Sequence, residues 1–175
     1  MVSIEERLQQ YVDVVAPYLE PNYPAECGET FEQWAARRAA GDGPKMNMDP
    51  DRLVWSNLDD SAISPAEHGA FARETLSRYP DLRRERVRIS PFIGRFAVAT
   101  VPGDIEEIAD GGCVVEQVVV ATATDGSRVR IPLCVIFYVK DGKIVRLHEY
   151  QDRAVYQPWA DGHLAADLKR TSVGK

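Results

Sequence analysis

The sequence is poor in the residues that build metal centres and disulfide frameworks. Its few cysteines and histidines are Cys27, Cys113, Cys134, His68, His148 and His163. None of the C-x-x-C, H-x-x-x-H or H-E-x-x-H spacings typical of redox motifs and zinc sites occurs. We therefore expect reduced thiols, no bound metal and no cofactor.

Long apolar runs and an excess of basic charge are absent too. No stretch approaches the ~20 apolar residues that cross a bilayer, and the start, MVSIEERLQQ, is charged where a secretory signal would be apolar. The 21 basic and 27 acidic residues give a net charge of −6. This balance disfavours nucleic acid and anionic membranes as partners, and we expect a cytoplasmic protein.

What is present is the composition of one globular domain. Of the 175 residues, 45% are hydrophobic and 27% are charged, which is typical of a folded, soluble chain. We expect a single domain over residues 1–160 and a C-terminal tail over residues 161–175.

Three segments of the N-terminal half carry helix signals. Capping boxes at Ser3, Thr30 and Ser64 each precede an apolar stripe with helical spacing, and a proline follows Ser64 at the first helical position. His68, early in the third helix, is interpreted as a surface or packing residue. A short β-prone segment, RLVWSNL, separates the second and third helices.

The C-terminal half is rich in strand formers. The predicted strands are RRERVRI, CVVEQVVVATAT, SRVRIPLCVIFYV and KIVRLHEYQD. Asp-Gly pairs at residues 125–126 and 141–142 predict hairpins, so the last three strands should form an antiparallel meander. The segment FAVATVPGDIEEIADGG is compatible with a strand, a short helix or both, and Gly111 and Gly112 at its end are interpreted as turn residues.

Helices followed by an antiparallel sheet indicate an α+β fold in which helices cover one face of the sheet. The strand SRVRIPLCVIFYV is apolar on both faces from Ile131 onward. A second subunit is the simplest cover for the other face, which predicts a homodimer.

One face of the last strand combines unusual groups. Alternation places His148, Tyr150 and Asp152 behind Ile144, and Glu116 lies among valines on another strand. An apolar pocket raises the pKa of a carboxyl group, so that it can serve as an acid or a base. The alternative is that Glu116 faces solvent and pairs with an arginine, while Asp152 caps a following helix.

The order of these signals resembles the SnoaL-like branch of the nuclear transport factor 2-like superfamily over residues 5 to 160. The segment FYVKDGKIVRLHEYQD is similar to the family's closing hairpin, and the W-S-N strand at Trp55 and the capped helix after it support the resemblance. It implies a cone-shaped, curved sheet that encloses a cavity with the three helices. Acids and hydrogen-bond donors would lie in the apolar walls of that cavity.

The resemblance also implies roles for individual residues. Asp152 matches the strand-end aspartate of the family's cyclases and epoxide hydrolases, and Asn57 matches the asparagine of the epoxide-hydrolase Y-x-N motif, with Trp55 in place of the tyrosine. Glu116 and Val118 stand where epoxide hydrolase has an arginine and an aspartate. The acid–arginine–acid triad of that enzyme is therefore broken.

We expect a cofactor-independent enzyme that acts on a hydrophobic cyclic or polyketide-like molecule. Asp152 would be the general acid or base, His148 or Glu116 would complete proton transfer, and Asn57 would orient substrate or water. The expected wall residues are Trp55, Val118, Leu133 and Tyr150. The alternatives are a non-catalytic module that binds a hydrophobic ligand, and a structural protein whose cavity is filled by side chains.

Overall fold

A computed structural model describes residues 2–57, 61–99, 105–122, 126 and 128–152. The elements are α1 (Ile4–Leu19), α2 (Pro24–Cys27), α3 (Phe31–Ala39), β1 (Met48–Ser56), β2 (Ser61–Ile63), α4 (Pro65–Arg78), β3 (Arg83–Ala99), β4 (Ile105–Thr122), β5 (Arg128–Lys140) and β6 (Lys143–Gln151). The predicted α+β class is confirmed, with α2 as one additional helical turn. The predicted tail lies outside the described residues.

The three long helices begin where the sequence predicts. Ser3, Thr30 and Ser64 each accept a hydrogen bond from the backbone N–H three residues later, and the side chain at that position reaches back to the N–H of the cap. These reciprocal bonds satisfy N–H groups that have no partner inside a helix. None of the helices within the described ranges is long and apolar enough to span a membrane.

The sheet has six strands in the order β2-β1-β6-β5-β4-β3. The antiparallel pairs β4–β5 and β5–β6 confirm the predicted meander, and Asp141 and Gly142 turn the second hairpin with φ of 49° and 72°. One strand pairing departs from the predicted antiparallel arrangement, since β1 pairs with β6 in parallel. The long connection through α4 and the meander permits this pairing, since parallel neighbours need a crossover.

The glycines predicted to form a turn lie inside β4 instead. A Cβ on Gly111 would be 2.3 Å from the ring of Tyr11, and one on Gly112 would be 1.9 Å from the carbonyl oxygen of Phe137. The hydroxyl of Tyr11 donates a hydrogen bond to the Asp110 carbonyl oxygen at 2.9 Å. Close approach of α1 and β5 to the β4 backbone, rather than a turn, therefore explains these glycines.

The helices cover one face of the sheet, which we call the inner face; the opposite side is the outer face. In one cluster of buried residues, Tyr11 and Val15 of α1 pack with Val115, Val135 and Phe137. In a second cluster, residues of α3 and α4 pack on the far end of the meander; its buried members are Trp34, Leu76, Tyr79, Leu82, Val119, Ala121 and Ile131.

Candidate functional site

A β-bulge decides which side chains of β6 face the helices. Tyr138 pairs with Arg146 and Val139 pairs with Ile144, so Val145 is one extra residue on β6. Ile144 is therefore part of the core, whereas Arg146 and the residues that alternate with it lie on the outer face.

Most of the predicted site residues consequently lie on the outer face. The ring centroid of Trp55 is 5.3 Å from that of His148 and 5.3 Å from that of Tyr150. A groove of about 460 Å³ on this face, the outer groove, has among its lining residues Glu116, Val118, Leu133, Tyr150 and Asp152. The structure thus brings these predicted residues together, and all of them except Leu133, which also packs against the helix-covered core, lie away from the helices.

The two predicted acids are not in an apolar environment. The side chain of Glu116 is 57% exposed, and its carboxylate lies 3.5 Å from the guanidinium of Arg88. Asp152 is exposed directly after the end of β6. The expectation of apolar burial is wrong for both, because their strand face is the one that the helices leave uncovered. For Glu116 the alternative of a solvent-facing ion pair is confirmed. The helix that Asp152 would cap in the alternative interpretation lies outside the described residues.

His148 is buried although it lies on the outer face. The rings of Trp55, Tyr138 and Tyr150 surround its imidazole at centroid distances of 5.3, 5.0 and 6.4 Å. Burial, together with the positive charge of Arg146, lowers the pKa of His148 to about 4. Because this pKa is well below 7, the ring is neutral at pH 7. Its Nε2 has no hydrogen-bond partner within the described residues.

Asn57 acts on the backbone of β6. Its Nδ2 donates to the carbonyl oxygen of Gln151 at 3.0 Å, and its Oδ1 accepts from the Gln151 N–H at 2.8 Å. Both ends of the amide are therefore engaged in holding the end of β1 against the end of β6. The orienting role predicted for this side chain stays a prediction.

A smaller cavity of about 120 Å³, the inner cavity, lies between α4 and the inner face. Its apolar lining residues are Phe71, Ala72, Leu76, Leu82, Val119, Ile131 and Leu133. Its polar lining residues are Tyr23, His68, Thr75, Glu149 and Gln151. The inner cavity therefore combines apolar walls with a few convergent polar groups, as ligand sites commonly do.

Glu149 and His68 form an acid–imidazole pair in this cavity. Nε2 of His68 lies 3.7 Å from Oε1 of Glu149, and the two side chains are 28% and 19% exposed. His68 comes from the first turn of α4 and Glu149 from the inner face of β6. A carboxylate and an imidazole at this spacing can take up and deliver protons.

Tyr23 contributes a phenol that stays protonated. Burial raises its pKa to about 12, with Arg84 acting against the rise and the Glu149 carboxylate adding to it. Burial likewise raises the pKa of Tyr18 well above its usual range. The hydroxyl of Tyr18 accepts a hydrogen bond from Nε2 of Gln117 at 2.7 Å.

The guanidinium group of Arg84 lies close to the rings of both tyrosines. Its guanidinium carbon lies 5.3 Å from the ring centroid of Tyr18 and 5.0 Å from that of Tyr23. It donates to Glu26 at 2.6 and 2.8 Å and to the carbonyl oxygens of Tyr18 and Glu20. This bonding fixes the loop that carries Tyr23 against β3.

Sequence reasoning missed Glu149, His68 and Tyr23. Two signals point to them. Glu149 alternates with the core residue Leu147 on β6, and His68 begins a stripe on α4 with helical spacing, continued by Phe71, Ala72, Thr75 and Leu76. Among the described residues, no group of three or more His, Cys, Asp or Glu side chains is placed to hold a metal ion.

Comparison with known proteins gives structural relatives only. No family model matches the sequence, and no curated protein matches it. The pinacolase BvnE from Penicillium brevicompactum superposes with a TM-score of 0.56 at 11% identity, covering 90% of this chain and 96% of that one. The phenazine biosynthesis-related protein PhzB2 from Pseudomonas aeruginosa superposes with a TM-score of 0.55 at 14% identity, covering 99% and 94%.

A third relative is a protein from Jannaschia sp. CCS1 assigned as a SnoaL-like polyketide cyclase. It superposes with a TM-score of 0.52 at 16% identity, covering 86% of this chain and 91% of that one. At such low sequence identities these structural similarities establish the fold. They do not identify the reaction, which depends on the residues of the site.

Proposed function

Since the chain has the fold of the SnoaL-like branch of the nuclear transport factor 2-like superfamily, we propose that it is a cofactor-independent enzyme for a hydrophobic small molecule, with its acid–base site in the inner cavity. The observation that carries this proposal is the Glu149–His68 pair, held 3.7 Å apart in a cavity with mostly apolar walls. The exposed acids of the outer groove lack such an environment.

The pair supports proton transfer at a carbon next to a carbonyl group. The Glu149 carboxylate takes the proton, the C–H electron pair enters the new C=C bond, and negative charge moves to the carbonyl oxygen. The protonated phenol of Tyr23 donates a hydrogen bond to that oxygen. Glu149 then returns the proton to the same carbon or to a conjugated one, while His68 holds the carboxylate in place.

The test is exchange of carbon-bound hydrogen, which needs no knowledge of the natural substrate. We expect the protein to accelerate deuterium uptake from D2O at the α-carbons of cyclohexanone, followed by NMR. Glu149→Gln keeps the shape of the side chain and removes the base, so it should reduce the acceleration at least 100-fold. Glu116→Gln is the matched control in the outer groove and should leave the rate unchanged.

Two outcomes would contradict the inner assignment. One is full exchange activity in Glu149→Gln. The other is loss of exchange in Asp152→Asn or Glu116→Gln with Glu149→Gln unaffected. It would place the chemistry in the outer groove, which Asp152 and Glu116 line, and would favour the roles predicted for Asp152, His148, Glu116 and Asn57.

A non-catalytic ligand-binding module is the second candidate function. It is favoured by the position of His68, whose Nε2 lies 3.7 Å from the Glu149 carboxylate and occupies part of the space beside it. Saturable binding of cyclohexanone in the inner cavity without any accelerated exchange would identify this function.

We also propose that a second copy of the chain covers the outer face. Ring contacts link Phe92, Phe96 and Tyr138 on this face, and Tyr138 also contacts His148. Tyr150, farther along β6, is 40% exposed. Phe92, Phe96 and Tyr138 are partly exposed, and a partly exposed aromatic surface of this kind is typical of protein interfaces.

A further inference from the structure

We infer that the inner cavity selects a neutral molecule with a single ring and one hydrogen-bond-accepting oxygen. Phe71 limits the size of this molecule, and the hydroxyl of Thr75 donates a hydrogen bond to its oxygen. This inference deepens the proposed function and rests on it for the location of the site. It adds the class of ligand, which neither the fold nor the structural relatives supply.

Size is the first argument. The inner cavity has a volume of about 120 Å³, which is somewhat smaller than the ~150 Å³ apolar cavity known to bind benzene. A single six-membered ring therefore matches the space within the cavity. A fused two-ring skeleton would have to extend beyond this space or displace a wall.

Phe71 is the wall residue best placed to set this limit. It lies on α4, lines the cavity together with the sheet residues Val119 and Ile131, and packs against the core cluster without being fully buried. Leu76, five residues farther along α4, is only 3% exposed and belongs to the core itself. Truncation at Phe71 thus enlarges the cavity while leaving the centre of the core intact.

Thr75 supplies the polar argument. A threonine in a helix commonly donates its hydroxyl to the carbonyl oxygen one turn back. Here Oγ1 of Thr75 is buried and forms no hydrogen bond within the described part of the chain, and Thr75 is one of the residues that line the inner cavity. Buried hydroxyls without a partner are rare in folded proteins, and a ligand oxygen is the partner that this position offers.

The other polar groups of the inner cavity also favour a neutral ligand that accepts a hydrogen bond. The phenol of Tyr23 is a donor, since burial raises its pKa to about 12. Glu149 places a negative charge beside His68, which disfavours an anionic ligand. A cyclic ketone fits these groups: its ring fills the apolar part of the cavity, and its oxygen accepts from Tyr23 and Thr75.

The experiment measures dissociation constants by NMR titration of the 15N-labelled protein with three probes: cyclohexanone, methylcyclohexane and 2-decalone. Wild type should bind cyclohexanone with shifts confined to α4, β6 and the Tyr23 loop, and should bind 2-decalone at least tenfold more weakly. Phe71→Ala should bind 2-decalone at least tenfold more tightly than wild type does, with Phe71→Leu between the two.

Thr75→Val tests the polar contact at nearly constant shape. We expect about fivefold weaker binding of cyclohexanone, the size of one hydrogen bond, with methylcyclohexane unaffected; Thr75→Ser should restore the ketone affinity. A folded Phe71→Ala protein with unchanged preference, or equal losses for both probes in Thr75→Val, overturns the inference.

The failure of this inference is distinguishable from that of the proposed function. If deuterium exchange depends on Glu149 while 2-decalone binds wild type as tightly as cyclohexanone does, the acid–base site stands and the single-ring limit falls. If cyclohexanone binds as described but Glu149→Gln exchanges as wild type does, the ligand class stands and the catalytic role falls.

Discussion

At the scale of single residues, His148 is a group whose pKa is strongly shifted by its surroundings. Its imidazole is 9% exposed and packed between aromatic rings. Burial and the neighbouring Arg146 lower its pKa from 6.5 to about 4 in the folded protein. Between these two values the unfolded chain binds more protons than the folded one, so stability falls as the pH falls through this window.

We therefore expect the titration of His148 to make the unfolding free energy depend on pH. Lowering the pH from 7 to 5 should cost about 2 kcal/mol through this residue. His148→Phe keeps a ring between Trp55 and Tyr138 and removes the titration, so its loss over the same range should be smaller by about that amount. Urea unfolding of both proteins at the two pH values measures the difference, and parallel losses would refute the assignment.

Residue-level prediction from the sequence succeeds where the interaction is local. Ser3, Thr30 and Ser64 were identified as helix caps because their partners lie three residues away. Burial of Asp152 and Glu116 was expected and is wrong, because exposure depends on which strand face the helices cover. Nothing in the alternation of a single strand contains that information.

At the scale of elements, the Glu26–Arg84 pair joins the N-terminal helices to the sheet. The Arg84 side chain is 4% exposed and that of Glu26 is 12% exposed. Burial raises the pKa of Glu26, but its hydrogen bonds with Arg84 and with the N–H of Asn22 outweigh burial and lower it. The pair therefore connects α2 to β3 through charges that are largely removed from water.

Glu26→Gln should lower the unfolding free energy by about 3–5 kcal/mol, since it leaves a buried guanidinium without its counter-charge. Glu29→Gln is the matched control. It breaks the Glu29–Arg37 pair, whose side chains are 24% and 25% exposed, and should cost at most about 1 kcal/mol. Denaturant melts at pH 7 measure both, and equal costs would contradict the role of the buried pair.

The positions of strands and turns were predicted well from the sequence. The pairing of distant strands was predicted less well. The strands of the meander and the Asp141-Gly142 turn follow from β-propensity and turn chemistry. The parallel pairing of β1 with β6 and the bulge at Val145 do not, because both depend on contacts between residues distant in sequence. The bulge matters most for the site, since it places Ile144 on one face of the sheet and His148 on the other.

At the scale of the whole molecule, one sheet separates two different environments. The inner face packs against the helices and forms part of the inner cavity, which contains Glu149 and His68. The outer face carries an aromatic surface and the outer groove. The resemblance inferred from the sequence implies a cavity between helices and sheet, and the inner cavity lies between α4 and the sheet. Assigning side chains to it required the three-dimensional register, which is why Asp152 rather than Glu149 was chosen from the same strand.

The outer face, which the helices leave uncovered, leads to a prediction about assembly that substitutions at two exposed apolar residues can test. Tyr150 is 40% exposed on the outer face, and Ile4 is 70% exposed at the start of α1, away from that face. If two copies pair through their outer faces, Tyr150→Lys buries charges in the interface and should weaken the dimer at least 100-fold, whereas Ile4→Lys should not. Light scattering coupled to size-exclusion chromatography over a range of concentrations measures both. A monomeric wild type, or dissociation caused by Ile4→Lys alone, would exclude pairing through this face.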